Sequence, residues 1–310
     1  AGFNIPTGIT SVGDYFLYSC WRGCTSLTSM PAGFNIPTGI TSVGDYFLYS
    51  CWRGCTSLTS MPAGFNIPAE ITSVGDFFLY SCWDDCTSLT SMPVGFNLPT
   101  GITSVGNFFL YYCWRGCTSL TSMPAGFNIP TGITSVGDYF LYYCWNGCTS
   151  LSSMPSGFNL PTGITSVRNY FLESCWRGCT SLSSMPAGFN LPTGITSVGN
   201  RFLDSCWRNC TSLSSMPSGF NLPTGITSVG IYFLYSCWNG CTSLSSMPSG
   251  FNIPTGITSV RDYFLDACWY DCTLLKADGY TENIDFKYAS SDTFGGTCPI
   301  TPDSPTAGSS

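Results

Sequence analysis

Eighteen of the nineteen cysteines fall in nine Cys-Trp-x-x-Cys pairs: Cys20/Cys24, Cys51/Cys55, Cys82/Cys86, Cys113/Cys117, Cys144/Cys148, Cys175/Cys179, Cys206/Cys210, Cys237/Cys241 and Cys268/Cys272. Thiolates serve as nucleophiles, redox centres and metal ligands, so these pairs are the first candidates for chemistry. A zinc site wants four ligands, often in Cys-x-x-Cys spacing. Here three residues separate the cysteines and the chain has no histidine. A thioredoxin-type redox site needs Cys-x-x-Cys in a βαβ setting, and neither is present. The pairs are therefore expected to be structural, as disulfides or as buried thiols, with Cys298 left over.

Acid–base chemistry has no better footing. The seventeen acids are scattered, and Asp84-Asp85 is a lone local pair. With no imidazole and no second acid at fixed spacing, no acid/base dyad can be assigned. Each glycine stands at a turn, so there is no phosphate-cradling loop. One glycosylation-type triplet, Asn209-Cys210-Thr211, carries a cysteine in its middle. The sequence thus predicts a non-enzymatic chain with no cofactor and no metal. Ten Lys and Arg against a net charge of −7 argue against a nucleic-acid partner. A 44% hydrophobic content with 15% aromatics suits a packed core rather than a disordered chain. No apolar run of about 18 or more residues exists to span a bilayer as a helix.

The elements that must position these residues come from a repeat. The unit AGFNIPTGITSVGDYFLYSCWRGCTSLTSMP recurs end to end at a fixed period, from Ala1, Ala32, Ala63, Val94, Ala125, Ser156, Ala187, Ser218 and Ser249. The ninth copy decays after Cys272. Such a period marks a stacked array, in which each unit buries its apolar face only against its neighbours. The expected division is a solenoid over 1–275, a capping segment over 276–294 and a flexible tail over 295–310. Within the capping segment, alternation at Ile284, Phe286 and Tyr288 predicts an edge strand over the last coil. The chain starts inside a coil, which suggests further coils upstream or a docked molecule.

In first-copy numbering, Phe3, Asn4, Pro6, Ile9, Val12, Phe16, Leu17, Cys20, Trp21, Cys24 and Leu27 are the same in all nine copies. Positions 13, 14, 15, 18, 19, 22 and 23 vary. Tyr18 becomes Glu173, Asp204 and Asp266, which predicts that this position faces water. The three- and four-residue spacing of the apolar set predicts a short helix over roughly 14–22, with Asp14 as N-cap and Gly23 near its end. Ile9–Val12 and Thr25–Met30 read as short strands. Pro6-Thr-Gly8 and Pro31-Ala-Gly33 read as turns.

The string Cys24-Thr-Ser-Leu-Thr-Ser-Met30, with Ile5-Pro6, Ile9-Thr-Ser-Val-Gly13, Phe16 and a cysteine, resembles the BspA-type leucine-rich repeat. The likeness recurs in all nine copies, over 1–275. The unit departs from that family in length, 31 rather than about 23, and in its second cysteine. The resemblance implies an α/β repeat: a leucine-rich-repeat solenoid with a strand face and a helix face. It also implies a secreted or cell-surface bacterial or protist protein used for adhesion. Nine coils at strand spacing make a right-handed solenoid about 45 Å long.

In such a stack, strands lie about 4.8 Å apart, packed helices about 8–10 Å, and a disulfide needs Cα atoms within roughly 4.4–6.8 Å. A bridge within each coil, Cys20 to Cys24 and its equivalents, is the expected pairing. A ladder of buried thiols is the alternative. Cysteine-rich chains with few charges suit an oxidising, extracellular setting.

Stacking also makes rows. The Asn4 row is expected to be an internal amide ladder. Tyr15, Tyr18, Arg22, Tyr46, Tyr49 and Arg53 are the candidate contact surface, because tyrosine joins an apolar body to a polar tip. The partner would be a protein or glycan ligand, or another copy docked end to end. Two further readings stand beside adhesion: a structural subunit of an extracellular filament, and an ice-binding solenoid using the Thr25, Ser26, Thr28 and Ser29 rows.

Overall fold

The computed structural model describes residues 5–248, 250–276 and 292–298. Asn4, the edge strand predicted around Ile284–Tyr288 and the tail beyond 298 lie outside the described residues. Successive units stack in parallel, and where strands pair, a residue meets its equivalent in the next unit. One ladder runs through the Ser11 position, where β1 (Ser11–Val12) pairs with β2 (Ser42–Val43) and β3 (Ser166–Val167) with β4 (Ser197–Val198). Single bridges such as Ser42 to Ser73 extend it. A second ladder joins Ser29, Ser60, Ser91, Ser122, Ser153, Ser184, Ser215 and Ser246. The two predicted strands therefore exist at their predicted places, but shrink to one or two paired residues each.

The predicted helix over 14–22 does not form; no helix occurs among the described residues. The backbone there alternates instead. Tyr15, Leu17 and Ser19 have φ of 62°, 53° and 51°, and every later unit repeats this. Alternation turns the peptide groups sideways. The N–H groups of Tyr15, Ser19, Trp21 and Gly23 donate to carbonyls of Asp45, Tyr49, Cys51 and Arg53 in the next coil, at 2.7–2.9 Å. Leu48 N–H donates back to Phe16 at 3.0 Å. Short i to i−3 turns, such as Tyr18 to Tyr15, close the local bends.

Spacing explains why the ladder displaces the helix. Packed helices need about 8–10 Å, twice the roughly 4.8 Å at which the two serine ladders hold successive coils. A third ladder keeps all sides in one register and satisfies its polar groups between coils. The predicted helix is also short, and so brief a segment rich in aromatics is marginal by propensity. Left-handed φ at a non-glycine residue costs roughly 1–2 kcal/mol. Burial offsets it: Leu48, Leu79 and their equivalents are fully enclosed, each contributing about 1.5–3 kcal/mol. At position 23 glycine is replaced only by Asp85, Asn209 and Asp271, the residues that tolerate this region best.

The core is one continuous column. Trp21 and Trp52 stack at 5.5 Å between centroids, and the pattern continues to Trp269 with interplanar angles of 3–6°. Phe34 and its equivalents stack in a neighbouring column and meet the tryptophans edge-on. At the far end, Phe294 stacks on Trp269 at 5.2 Å and the Thr293 carbonyl accepts the Trp269 N–H.

The expected disulfides are absent. The nine pairs from Cys20/Cys24 to Cys268/Cys272 are unbridged thiols, and all but Cys20 and Cys24 are buried. From the second coil onward the second thiol has another use: Cys55 Sγ donates to the Trp21 carbonyl of the preceding coil at 2.9 Å, Cys86 to Trp52 at 3.0 Å, and so on to Cys272. Each of these eight thiols is thus a small apolar filler that also ties two coils together. Burial pushes Cys55 up to about 11 and Cys82 well above its ordinary value, so these groups stay neutral.

The asparagine row is the internal ladder that was expected. Asn35 Oδ1 accepts from the N–H of Ile36 and of Asn66, and its Nδ2 donates to the Gly64 carbonyl. The Asp14 row works similarly rather than as helix caps: Asp14 Oδ1 accepts from Asp45 N–H at 2.9 Å and Asp45 Oδ1 from Asp76 N–H at 2.7 Å.

Candidate contact surface

The segment leaves positions 15, 18 and 22 toward the surface while 16, 17, 20 and 21 enter the core, and the constant coil register places equals above equals. Two aromatic rows result. The first is Tyr15, Tyr46, Phe77, Phe108, Tyr139 and Tyr170, with ring centroids 4.2–4.7 Å apart and planes within 9°. The second is Tyr18, Tyr49, Tyr80, Tyr111 and Tyr142, at 4.5–4.8 Å. Within one coil the rows touch edge to face, as Tyr15 and Tyr18 do at 5.5 Å. Tyr15 and Tyr18 are exposed, and the tyrosines following them are half-buried. The four tyrosines of the predicted surface, Tyr15, Tyr18, Tyr46 and Tyr49, are therefore brought together.

Ring faces are taken up within the rows, so the part of each ring left to the surface is mainly its edge. Each stacked pair contributes about 0.5–1.5 kcal/mol beyond its burial. Burial pushes the Tyr80 phenol up to about 12 and raises Tyr111 and Tyr142 as well, so these three phenols stay neutral.

The predicted arginines lie beside these rows. Arg22 is exposed. Arg53 is committed inward: its Nε lies 3.1 Å from Asp84 Oδ2, and Arg115 Nε lies 2.7 Å from Asp84 Oδ1. Asp84 is fully buried between them. Burial raises its carboxyl above the ordinary range, against the two guanidinium groups that lower it. Arg115 also reaches Asp85 at 3.2 Å and covers the Tyr112 ring at 4.6 Å.

Both rows break at Glu173, Arg201 and Asp204. Arg201 sits between Tyr170 and Tyr232, 5.9 and 4.2 Å from their centroids. It pairs with Asp204 at 2.9 Å and Glu173 at 3.8 Å. The variation at position 18 predicts that the position faces water. Instead Glu173 and Asp204 are buried, while Asp266 is half-buried. The reason is the stack: in a row filled above and below, a short acid sinks beneath its tyrosine neighbour. Burial, reinforced by the Asp204 charge, lifts Glu173 to about 8, so it carries a proton at neutral pH. The sequence did signal this site, because an Arg at position 15 and acids at position 18 fall in adjacent coils.

Beyond the second row, Tyr112 and Tyr143 replace serine at position 19 and enlarge the aromatic area, with Tyr112 tilted on Tyr111 at 4.2 Å. Among the described residues no group of three metal-ligating side chains is gathered, and no helix is long and apolar enough to cross a membrane.

Comparison with known proteins agrees with the repeat. The family model for the BspA type leucine rich repeat region, in six copies, matches residues 1–301. A search of curated proteins returns no match. Among solved structures, a leucine-rich repeat protein from Bacteroides ovatus is 21% identical, with a TM-score of 0.47, covering 88% of this chain and 67% of that one. The leucine-rich repeat protein of T. pallidum is 17% identical, with a TM-score of 0.35 over 78% and 77% of the two chains. A leucine rich cell surface protein from Faecalibacterium prausnitzii is 17% identical, with a TM-score of 0.24 over 89% and 82%. With the family model covering nearly the whole length, the chain belongs to the BspA-type leucine-rich repeat family.

Proposed function

We propose that this is a non-enzymatic, cell-surface or secreted repeat protein that uses its tyrosine rows to hold a protein partner. The observation that carries this reading is the pair of aromatic rows at positions 15 and 18, stacked ring on ring along a partly exposed face. Stacking on sugars would need free ring faces, and the rows use those faces internally, so the surface favours a protein over a glycan. Tyrosine is suited to the role because it gives contact area and a hydrogen bond at low entropic cost. The surface localisation of a named structural neighbour is consistent with this setting.

The test is a binding screen against extracellular-matrix proteins and a glycan array. The wild-type chain is compared with a variant carrying Tyr15→Ser, Tyr18→Ser, Tyr46→Ser and Tyr49→Ser. Capture by a matrix protein, reduced at least tenfold in the variant while its circular dichroism is unchanged, supports the reading. Capture by glycans alone, or equal capture of both forms, overturns it.

A further inference from the structure

We propose that the stacked tyrosines are sites of oxidative cross-linking, in which a peroxidase using hydrogen peroxide welds successive coils through dityrosine. The argument begins with proximity. Equivalent tyrosines of successive units lie ring on ring: Tyr18 and Tyr49 at 4.8 Å, Tyr49 and Tyr80 at 4.5 Å, Tyr139 and Tyr170 at 4.2 Å, Tyr232 and Tyr263 at 4.5 Å. Coupling two phenoxyl radicals normally requires an encounter between separate side chains. Here the encounter is built into the fold, and holding reactants in contact replaces a bimolecular step by a unimolecular one. The rings are also reachable: Tyr15, Tyr18 and Tyr263 are exposed and the others half-buried, while the tryptophan column that could compete for the oxidant is enclosed from Trp52 onward.

The chemistry balances. Each of two phenols loses one electron and its hydroxyl proton to give a phenoxyl radical. The two radicals join by a carbon–carbon bond between ring positions ortho to oxygen. The hydrogen on each joined carbon then moves to its oxygen as a proton, restoring both phenols. Hydrogen peroxide takes up the two electrons and two protons and leaves as two waters. Each phenol has two ortho positions, so an interior tyrosine can bond to the coil before it and the coil after it.

The sequence of each row dictates a map. In the second row, Tyr18, Tyr49, Tyr80, Tyr111 and Tyr142 form an unbroken series. In the first row, Phe77 and Phe108 lack the phenol and leave only Tyr15–Tyr46 and Tyr139–Tyr170 on the near side. Arg201, Glu173 and Asp204 stop both rows, and Tyr232–Tyr263 resumes beyond them. Tyr235 is the internal control: its own row offers Asp204 and Asp266, and it meets Tyr232 and Tyr263 only edge-on, at 5.4 and 6.0 Å.

The experiment treats dilute full-length chain with a plant peroxidase and hydrogen peroxide, and separately with a ruthenium photo-oxidant and persulfate. Dityrosine is read by fluorescence, and the joined peptides by mass spectrometry of the monomeric fraction. The expected result is peptide pairs offset by one repeat unit, at the mapped positions, within one chain. Tyr49→Phe, which keeps the stack, should delete the pairs to Tyr18 and Tyr80 and leave Tyr139–Tyr170 unchanged. Cross-links that vanish on dilution, Tyr235 coupling as often as the stacked pairs, or tyrosine loss without dityrosine under both oxidants would each overturn the proposal. None of these outcomes depends on whether the rows also hold a partner.

Discussion

At the scale of single residues, the alternating backbone separates the value of a side chain from the strain of its position. Ser81 and Leu79 have φ of 48° and 54°, and both are fully buried. The Ser81 hydroxyl has no hydrogen-bond partner. Ser81→Gly removes a left-handed penalty of about 1–2 kcal/mol and an unsatisfied hydroxyl, against roughly 0.5–1 kcal/mol of added chain entropy. We expect the variant to be more stable by about 1 kcal/mol, read as a rise in the urea midpoint. Leu79→Gly relieves the same strain yet empties a core site, and should lose at least about 2 kcal/mol. If both variants destabilise alike, the positive φ values are not being held against a cost. The thiols give a second check. Cys20 and Cys24 are exposed, the other pairs enclosed, so alkylation of the native chain should modify those two and reach the remaining pairs only after unfolding. A mass that shifts on reduction alone would contradict the unbridged core.

At the scale of elements, the acidic break in the rows ties stability to pH. Glu173 titrates near 8 in the folded chain, against about 4.3 in an unfolded one. Between those values the folded state holds a proton that the unfolded state has released, so stability falls as pH rises and the loss is complete above about 8. The shift corresponds to several kcal/mol, on the order of 1.4 per pH unit of displacement. Glu173→Gln should flatten this part of the profile, with a Tm at pH 9 above that of the wild type; an unchanged slope would place the effect elsewhere. The same segment shows what the sequence could reveal. Phe16, Leu17, Cys20, Trp21 and Cys24 were recognisable as inward-facing, and their equivalents do join the core of every interior coil. Their spacing by three and four was shared by a helix and by the sideways ladder, because both hide one face. What decided between them was the neighbouring coil, whose carbonyls accept the N–H groups. Hydrophobic periodicity carries no information about that choice. The asparagine ladder was legible for the opposite reason: a polar residue that never varies at a bend has few uses other than bonding the backbone beside it.

At the scale of the whole molecule, the backbone hydrogen bonds between described units join adjacent units, so stability is expected to be a sum along a line rather than a property of one closed core. The tryptophan column makes this testable. Trp145 is enclosed and stacks on Trp114 at 5.5 Å and on Trp176 at 5.6 Å. Trp145→Ala removes both contacts and should cost about 3–5 kcal/mol. In a globular core that cost would lower one cooperative transition. In a linear array it cuts the coupling between the units on either side, leaving two blocks that melt separately. We expect Trp145→Ala to convert one urea transition into two, each with a smaller denaturant slope, because the slope follows the surface exposed per cooperative unit. Trp238→Ala, nearer one end, should instead leave one large transition and a small early one. A single transition in both variants, with an undiminished slope, would mean that coupling extends well beyond adjacent coils, and the nearest-neighbour description of this solenoid would fail.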